Sequence, residues 1–302
     1  MTSARYDVIV IGSGMTGLTA SKRVVEQGLS VANIEGGLFG GLVTNINELQ
    51  GEYTGSGTDL VSTLMLEVGE SGCAMVSENV TGVRRDGADI LVMTDAGQHR
   101  ARAVIVASGA RQRRLGVPGE TQFEYKGVSQ CADCDGPMFQ GQDVVVAGGG
   151  DSALQEALVL SRYCANVRIV HHRLELSAHP HWQHALQSCS NVTVMPMTEL
   201  TAIEGGAVVE AVRIRSLSDG SERTMPCSGV FVYVGLVPAT DFLPGGVSRD
   251  PSGAVITSER LETSLVGVFA AGAVRAGYQG TLADAVRDAE SAATAVLQDL
   301  RD

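Results

Sequence analysis

The stretch DVIVIGSGMTGLTASKRVVEQG, residues 7–28, joins an apolar run, a glycine turn and a helical segment. Residues 8–11 are all apolar and predict a buried parallel strand. Gly12, Gly14 and Gly17 follow, and the chain then predicts a helix that continues to about Glu26. The first glycine permits the tight turn, the second lets a pyrophosphate approach the backbone, and the third allows close packing of helix on strand. The stretch therefore predicts a dinucleotide-binding unit with phosphates at the helix N-terminus.

A second strand, within LSVANIEGG (29–37), ends at Glu35. A carboxylate at this distance from the glycine turn is placed to accept hydrogen bonds from a ribose. A bare glycine pattern is weak evidence, but here strand, turn, helix, second strand and acid occur in order. We therefore interpret the segment as a complete nucleotide cradle.

The pattern recurs in DVVVAGGGDSALQEALVLSRYCANVRIVHHR, residues 143–173. It predicts a strand over 143–147, a turn at Gly148-Gly149-Gly150 with Ala153 in the third glycine position, a helix to about Tyr163 and a strand over 167–170. The second strand is followed by basic residues, including His172 and Arg173, where the first unit has an acid. A cation there attracts a 2′-phosphate, so NADP is favoured over NAD. A vestigial fold that binds no nucleotide is the alternative.

Two such units predict an α/β fold with two Rossmann-like dinucleotide-binding domains, the second inserted into the first. The segment AVIVASGA (103–110) predicts the exit strand of the first domain. A later strand, Gly272 and a long helix have no cradle of their own, so they predict a return of the chain to that domain. The expected bounds are 1–113 and 239–302 for the first domain and 114–238 for the second, inserted domain.

Composition narrows the choice of partners and compartment. The net charge of -12 disfavours a nucleic-acid partner, because phosphates would be repelled. The sequence contains no run of 18 apolar residues, so we expect no membrane-spanning helix. The N-terminal apolar run is too short for a signal peptide and ends in a glycine turn. We therefore expect a cytoplasmic protein, in which structural disulfides are rare.

Two cysteines stand three positions apart in GVSQCADCDGP, residues 127–137. Cys131 and Cys134 supply only two of the four ligands that a structural zinc needs, and a zinc site would have to recruit histidines from HPHWQH (179–184). As a redox pair they close a small disulfide ring, with Asp133 and Asp135 available for proton transfer. A dithiol and a flavin both carry two electrons, so we favour exchange with FAD. The four other cysteines are expected to be small buried apolar residues.

The matched segments IGSGMTG, IEGG with FGG, AVIVASGA, CADCDG, VVVAGGGDSALQEA and VGVFAAG are similar to the low-molecular-weight thioredoxin reductase family of pyridine nucleotide-disulfide oxidoreductases. The resemblance implies FAD in the first and last segments, NADPH in the insertion that carries the cysteines, and a homodimer. It also implies that Cys134 faces the flavin, that Cys131 exchanges with substrate, and that Asp135 donates and accepts protons.

With this resemblance, the cofactor contacts form two sets. The set expected for FAD is Gly12, Gly14, Gly17, Glu35, Gly40, Gly41, Ala107, Gly109, Gly272, Ala273 and Thr281. The set expected for NADP is Gly148, Gly150, Asp151, Ser152, Ala153, His172 and Arg173.

Several positions depart from the family pattern. Ala273 replaces the acid that holds the flavin's ribityl chain, Gly280-Thr281 replaces an Arg-Gln pair, and Leu42 replaces a glutamine. At the second cradle, His172, Arg173 and Ser177 stand where the family has three arginines. Each lost charged hydrogen bond removes about 1.5–3 kcal/mol, so both cofactors are expected to bind less tightly.

A chain that keeps the cysteine pair and the FAD cradle but loosens the NADPH contacts resembles relatives that oxidise small-molecule dithiols in natural-product pathways. In those relatives FAD is reoxidised by oxygen or NADP. The favoured hypothesis is therefore a dithiol oxidase that forms a disulfide in a small molecule. The alternatives are an NADPH-dependent thioredoxin reductase acting on a thioredoxin-like protein, a ferredoxin-fed or otherwise divergent reductase, and a non-enzymatic flavin-binding redox sensor. The sequence does not set the direction of electron flow, which depends on reduction potentials.

Overall fold

A computed structural model of the chain describes residues 3–46, 49 and 53–301. The chain divides into two compact units: the first comprises Met1–Arg111 with Val237–Asp302, and the second comprises Gln112–Leu236. The sequence-based boundaries fall after residues 113 and 238. That each unit folds as an independent domain remains a prediction.

The first unit begins with strands, two helices and a short 3-10 turn at Gly41–Asn45, up to the point where the chain enters the second unit. These elements are β1 (Ser3–Ile11), α1 (Met15–Val25), β2 (Val31–Ile34), α2 (Gly57–Glu70), β3 (Ala74–Val76), β4 (Val80–Asp86), β5 (Asp89–Thr94), β6 (Gln98–Val106) and β7 (Ala110–Gln112).

The second unit begins with a short strand and the helix that carries the cysteine pair. Its elements are β8 (Val128–Ser129), α3 (Ala132–Asp135), β9 (Asp143–Ala147), α4 (Asp151–Leu160), β10 (Asn166–Val170), α5 (Pro180–Gln187), β11 (Val192–Met195), β12 (Thr198–Gly205), β13 (Val209–Ser216), β14 (Glu222–Pro226) and β15 (Gly229–Val232). The chain crosses back within β16 (Leu236–Pro238) and ends with β17 (Val268–Ala270) and α6 (Leu282–Arg301).

The first unit is built on a seven-stranded sheet in the order β3-β2-β1-β6-β5-β4, with β17 also paired to β6. The central pairings are parallel, and β17 joins β6 in parallel, as expected for a chain that returns to this unit. Side chains of β1 alternate between two apolar clusters: Val8 and Val10 pack in one, Ile9 and Ile11 in the other. Both faces of the strand are therefore covered, which explains its uninterrupted apolar sequence.

The second unit contains a parallel five-stranded sheet in the order β11-β10-β9-β15-β8 and an antiparallel three-stranded sheet, β12-β13-β14. The α/β class and parallel sheets predicted from the sequence are confirmed. The predicted strand over 143–147 is β9 as observed. The predicted helix is shorter than expected, because α4 ends at Leu160, where Ser161 forms the C-cap and the N–H of Tyr163 bonds to the Leu160 carbonyl in a tightened turn.

No helix among the described residues is long and apolar enough to cross a membrane.

Candidate active site

The two cysteines of the CADC segment form a disulfide, with 5.4 Å between their Cα atoms. Cys131 is the N-cap of α3, and its Sγ accepts a hydrogen bond from the N–H of Cys134 at 3.2 Å. Cys131 is half-buried and Cys134 is exposed. A sulfur at a helix N-terminus lies where backbone N–H groups stabilise a thiolate, so the turn is suited to reversible thiol chemistry.

A buried carboxylate supports this turn from α4. Glu156 is 8% exposed, and its Oε2 accepts hydrogen bonds from the N–H of Ala132 at 2.8 Å and from the hydroxyl of Tyr233 at 3.1 Å. Burial raises the pKa of Glu156, with the neighbouring Asp133 acting in the same direction. Sequence analysis missed Glu156, although a single acid within the apolar run ALQEALVL was the available signal.

Two further acids flank the exposed cysteine. Burial raises the pKa of Asp133, and the charge of Arg162 opposes that shift. Asp135, the residue predicted to transfer protons, is half-buried at the end of α3, and its N–H donates to the carbonyl of Cys131 at 3.2 Å. Asp135 therefore lies in the same helical turn as the disulfide, and its proton-transfer role remains a prediction.

The first glycine turn has the geometry of a phosphate cradle. Gly12 has a φ of +106°, and a Cβ there would lie 2.4 Å from the carbonyl oxygen of Ala107. A Cβ on Gly17 would lie 1.9 Å from the carbonyl oxygen of Gly12, so helix and strand pack too closely for any side chain. At Gly14, by contrast, the nearest described atom to a Cβ is the carbonyl oxygen of Gly40, at 3.8 Å. Gly14 therefore leaves open space beside the start of α1, which fits a pyrophosphate.

Two features make that space suitable for an anion with an attached ribose. Among the described residues, no side chain caps α1 at Gly14 and no acid lies in its first turn, so its N–H groups remain available. Glu35 is held at the rim, because its Oε2 accepts from the N–H of Ser13 at 2.9 Å and its Oε1 from that of Gly37 at 2.8 Å. The residues present therefore fit the adenosine diphosphate part of a dinucleotide.

Other expected flavin residues lie in the same unit, and some have structural roles. Gly40 donates its N–H to the carbonyl of Ser13, and it forms a β-bridge with Gly14. Gly272 has a φ of +76°, and a Cβ there would lie 2.4 Å from the hydroxyl of Thr16. Thr281 is exposed and its hydroxyl donates to Asp284 at 2.6 Å. The remaining predicted residues are positioned as follows: Ala107 is buried after β6, Gly109 and Ala273 are half-buried, and Gly41 is exposed.

An ion pair that the sequence analysis did not predict lies at the start of this last segment. Asp288 of α6 is 6% exposed and pairs with Arg275, whose Nε is 2.5 Å from its Oδ2. The same carboxylate accepts the N–H of Gly272 at 2.9 Å. Ala273, where the family has an acid, thus sits in a loop that is held by Asp288 from the helix.

The second glycine turn repeats the geometry of the first. Gly148 has a φ of +138°, and a Cβ there would lie 2.2 Å from the carbonyl oxygen of Tyr233. Gly150 precedes α4, and the described atom nearest to its Cβ position is the Ser177 hydroxyl oxygen, at 3.7 Å. A cavity of about 700 Å³ opens over this turn. Its lining includes Gly148, Gly150, Asp151, Ser152, Ala153, His172 and Arg173. The residues and the volume fit a nicotinamide dinucleotide.

The charged and titratable residues around this cavity differ in exposure and in hydrogen bonding. His172 and Arg173 are exposed at its rim, as a 2′-phosphate site requires. Asp151 is engaged by His179, which contributes its backbone N–H at 2.7 Å and its Nδ1 at 2.5 Å. His171 is buried, and its Nε2 has no hydrogen-bond partner among the described residues. Burial and the adjacent His172 lower the pKa of His171.

The zinc hypothesis gains no support from the structure. Within the described part of the chain, no group of three or more His, Cys, Asp or Glu side chains is arranged to hold a metal ion. Of the four other cysteines, Cys73, Cys164 and Cys227 are buried as predicted, and Cys189 is half-buried.

The glycine cradles and the disulfide agree with the outcome of comparisons with known proteins. Residues 6–298 match the family model described as pyridine nucleotide-disulphide oxidoreductase. The chain belongs to this family. It is 39% identical over 278 residues to a thioredoxin reductase of Listeria innocua, covering 90% of this chain and 86% of the relative. It is 36% identical over 276 residues to that of Treponema pallidum, covering 90% of this chain and 89% of the relative.

A solved structure extends the agreement to three dimensions. The thioredoxin reductase of Lactococcus lactis superposes with a TM-score of 0.93 at 31% identity, covering 97% of this chain and 98% of the other. The predicted resemblance to the low-molecular-weight thioredoxin reductases is confirmed. The chain is an FAD-dependent oxidoreductase, and FAD and NADP(H) are its cofactors.

The comparisons favour the alternative function over the one preferred from the sequence. The named relatives are thioredoxin reductases, and the specialised dithiol oxidase has no support among them. The preference for an oxidase rested on departures such as Ala273 and Ser177. Losing single contacts weakens cofactor binding without deciding the direction of electron flow, so those departures were a poor guide.

Proposed function

We propose that this protein is an NADPH-dependent thioredoxin reductase that passes two electrons to the disulfide of a thioredoxin-like protein. One observation carries the proposal: the Cys131–Cys134 disulfide lies in the same unit as a cavity lined by a second nucleotide-binding glycine turn. Identities of 36% and 39% to thioredoxin reductases over 90% of the chain support it. We further propose a homodimer, and the cytoplasm as its compartment.

The proposal assigns the cofactors to the two cradles. The turn at Gly12, Gly14 and Gly17, with Glu35 at its rim, would hold the adenosine diphosphate of FAD. When bound, FAD supplies the ability to take a hydride from a nicotinamide and to give two electrons to a disulfide. The turn at Gly148 and Gly150 would hold NADP(H), with Arg173 beside the 2′-phosphate.

The cysteine turn then performs thiol–disulfide exchange. In the reduced pair, the Cys134 N–H and the start of α3 stabilise a thiolate on Cys131. That thiolate attacks the partner's disulfide, forming a mixed disulfide and releasing one partner thiolate. The Cys134 thiolate then attacks the Cys131 sulfur, which re-forms the Cys131–Cys134 disulfide and releases the second partner thiolate. Two electrons leave the pair, and Asp135 is the proposed acid for the proton transfers.

A surface in the second unit supports a protein partner. Tyr125, before the cysteine pair in sequence, is 94% exposed, and Met138, after it, is 74% exposed. Tyr125 has a φ of +61°, a strained conformation for a bulky residue. Together with Phe139 and Val208, it lines a cavity of about 730 Å³. Exposed apolar side chains around a groove are typical of a protein-binding site.

An anaerobic titration tests the proposal. Stoichiometric NADPH should bleach the flavin absorbance of the purified holoenzyme, and added oxidised thioredoxin should restore it. If NADPH leaves the absorbance unchanged and a small-molecule dithiol bleaches it, the reductase proposal is wrong and the dithiol oxidase is favoured. If neither reagent changes the absorbance, flavin and thiols are not coupled, as expected for a binding protein without catalysis.

A further inference from the structure

The carboxylate of Glu156, which contacts the cysteine turn, takes no part in the exchange steps proposed above. Its side chain extends from the middle of α4, the helix whose N-terminus borders the second cradle. It is 8% exposed, and its helix neighbours Leu154 and Ala157 belong to a buried apolar cluster that also contains Ala132 and Phe231. A buried acid costs stability unless its oxygens are hydrogen-bonded. The hydrogen-bond partners of Glu156 therefore indicate its role.

One partner lies inside the redox motif. The N–H of Ala132, the first residue of α3 and the neighbour of Cys131, donates to Glu156 Oε2 at 2.8 Å. This N–H is one of the donors that a helix leaves without an intrahelical acceptor. Glu156 therefore fixes the backbone between the two cysteines from outside the motif.

The second partner connects the same oxygen to the nucleotide cavity. The Tyr233 hydroxyl donates to Glu156 at 3.1 Å, and Tyr233 lines the cavity beside Gly148. Burial next to this carboxylate raises the pKa of Tyr233, so its hydroxyl remains a donor at neutral pH. The donor holds the carboxylate in one orientation, which keeps Oε2 directed at Ala132.

We propose that Glu156 is a positioning residue for the redox pair: by accepting the Ala132 N–H, it holds the turn in the conformation that closes the Cys131–Cys134 disulfide. It touches neither cysteine sulfur, so it acts through the backbone. The bond is present with the disulfide closed and, in this proposal, is lost when the turn opens in the dithiol, so removing it weakens the disulfide relative to the dithiol. The inference rests on the proposed function only in assuming that Cys131 and Cys134 alternate between disulfide and dithiol during catalysis.

Two conservative variants test separately the length and the charge of the side chain at position 156. Glu156→Asp keeps the charge but shortens the side chain by one methylene, so the carboxylate no longer reaches Ala132. Glu156→Gln keeps the length and an acceptor oxygen but removes the charge. Holoenzyme is equilibrated in buffers of reduced and oxidised dithiothreitol, and the oxidised fraction of Cys131–Cys134 is read by differential alkylation and peptide mass spectrometry.

The positioning role predicts that Glu156→Asp shifts the disulfide–dithiol equilibrium about tenfold or more toward the dithiol, the factor expected for one hydrogen bond to a charged group. The disulfide–dithiol equilibrium of Glu156→Gln should stay within about threefold of the wild type, since the glutamine oxygen still accepts a neutral hydrogen bond from Ala132. A shift in Glu156→Gln with none in Glu156→Asp would assign the effect to charge and overturn the inference. Equal shifts, or no shift in either, would overturn it as well.

The wild type separates this test from that of the function. If its Cys131–Cys134 pair does not cycle between disulfide and dithiol in these buffers, the proposed function fails. If the wild type cycles and the variants do not follow the predicted order, only the role of Glu156 fails. Hydrogen exchange at the Ala132 amide gives a second measurement: protection should be lost in Glu156→Asp and kept in Glu156→Gln.

Discussion

Arg275 and Asp288 form an ion pair inside the first unit, with side-chain exposures of only 18% and 8%. The guanidinium makes two contacts to the carboxylate, Nε to Oδ2 at 2.5 Å and Nη2 to Oδ1 at 2.6 Å. Because Oδ2 also accepts the Gly272 N–H, one carboxylate ties the loop after β17 to the last helix.

Removing this carboxylate should destabilise the protein strongly. Asp288→Ala leaves the Arg275 charge half-buried without its partner, and breaking such a pair costs about 3–5 kcal/mol in the free energy of unfolding. Urea denaturation followed by circular dichroism measures the loss. Asp241→Ala is the control, since its pair with Arg111 is exposed and should contribute less than about 1 kcal/mol. Equal losses in the two variants would contradict this account.

Two of the three glycines of the first cradle, Gly14 and Gly17, should respond differently to substitution. In Gly14→Val the Cβ meets no described atom closer than 3.8 Å, so the apoprotein should lose less stability than Gly17→Ala, while the affinity for FAD falls about tenfold or more through overpacking against the pyrophosphate. In Gly17→Ala the Cβ meets the Gly12 carbonyl at 1.9 Å, so the fold itself should be destabilised. Fluorescence titration with FAD and urea denaturation of the apoproteins distinguish the two. Full flavin retention in Gly14→Val would mean that FAD binds elsewhere.

Replacing the exposed cysteine should abolish catalysis without loss of the flavin. Cys134→Ser cannot close the disulfide with Cys131, so NADPH-dependent reduction of a thioredoxin disulfide should fall to background while the flavin absorbance remains. Cys189→Ser is a matched control, because Cys189 is a half-buried unpaired cysteine in the same unit and should retain activity. Turnover by Cys134→Ser would remove this residue from the mechanism.

Arg173 should determine the preference for NADPH over NADH. Its exposed guanidinium at the rim of the second cavity is placed to pair with the 2′-phosphate, and a charged hydrogen bond of this kind contributes about 1.5–3 kcal/mol. Arg173→Ala should therefore raise the KM for NADPH tenfold or more and leave the KM for NADH nearly unchanged. Arg223→Ala, at an exposed position on β14, serves as the control. A proportional rise for both nucleotides would show that Arg173 does not read the phosphate.

Stability of the second unit should decrease as the pH falls below about 6.5, the ordinary pKa of histidine. Burial lowers the pKa of His171 in the folded chain, so in this range the unfolded chain binds more protons than the folded one. The free energy of unfolding is thus lost as the pH drops from 6.5 toward the lowered pKa, and no effect is expected above 7. Trp182, the only tryptophan, lies on α5 and reports this unit's unfolding in urea.

His171→Asn should flatten that pH dependence, because the substituted side chain does not titrate. His181→Asn changes an exposed histidine on α5 and should preserve the wild-type slope. Identical slopes in the wild type and His171→Asn would contradict the assignment to His171.

The parts of the fold that the sequence predicts are those encoded by neighbouring residues. The strand over 143–147 and both glycine turns each follow from a short local pattern. The antiparallel sheet of β12, β13 and β14 was not predicted, although β13 alternates buried apolar and exposed charged residues over Val212, Arg213, Ile214 and Arg215. Side-chain roles created by tertiary contacts were missed altogether.

The missed contacts share one physical cause. Glu156 and Ala132 are 24 residues apart, and Arg275 and Asp288 are 13 apart, so each pair exists only once helices have packed. Neither spacing has a recognisable motif. The resemblance to a family identified the cradles and the cysteines, but it also drew attention to lost arginines and acids rather than to the Arg275–Asp288 ion pair near Ala273.

Burial of the unpaired cysteines has a consequence for a protein that handles disulfides continuously. Desolvation raises the pKa of Cys73 and Cys164 to about 11 and that of Cys227 to about 12, so these thiols stay protonated at neutral pH. Only a thiolate attacks a disulfide, and these three sulfurs are also shielded from solvent. The molecule is thereby protected from scrambling its bonds through these three thiols during turnover, which favours exchange at the two sulfurs of α3 and its N-cap.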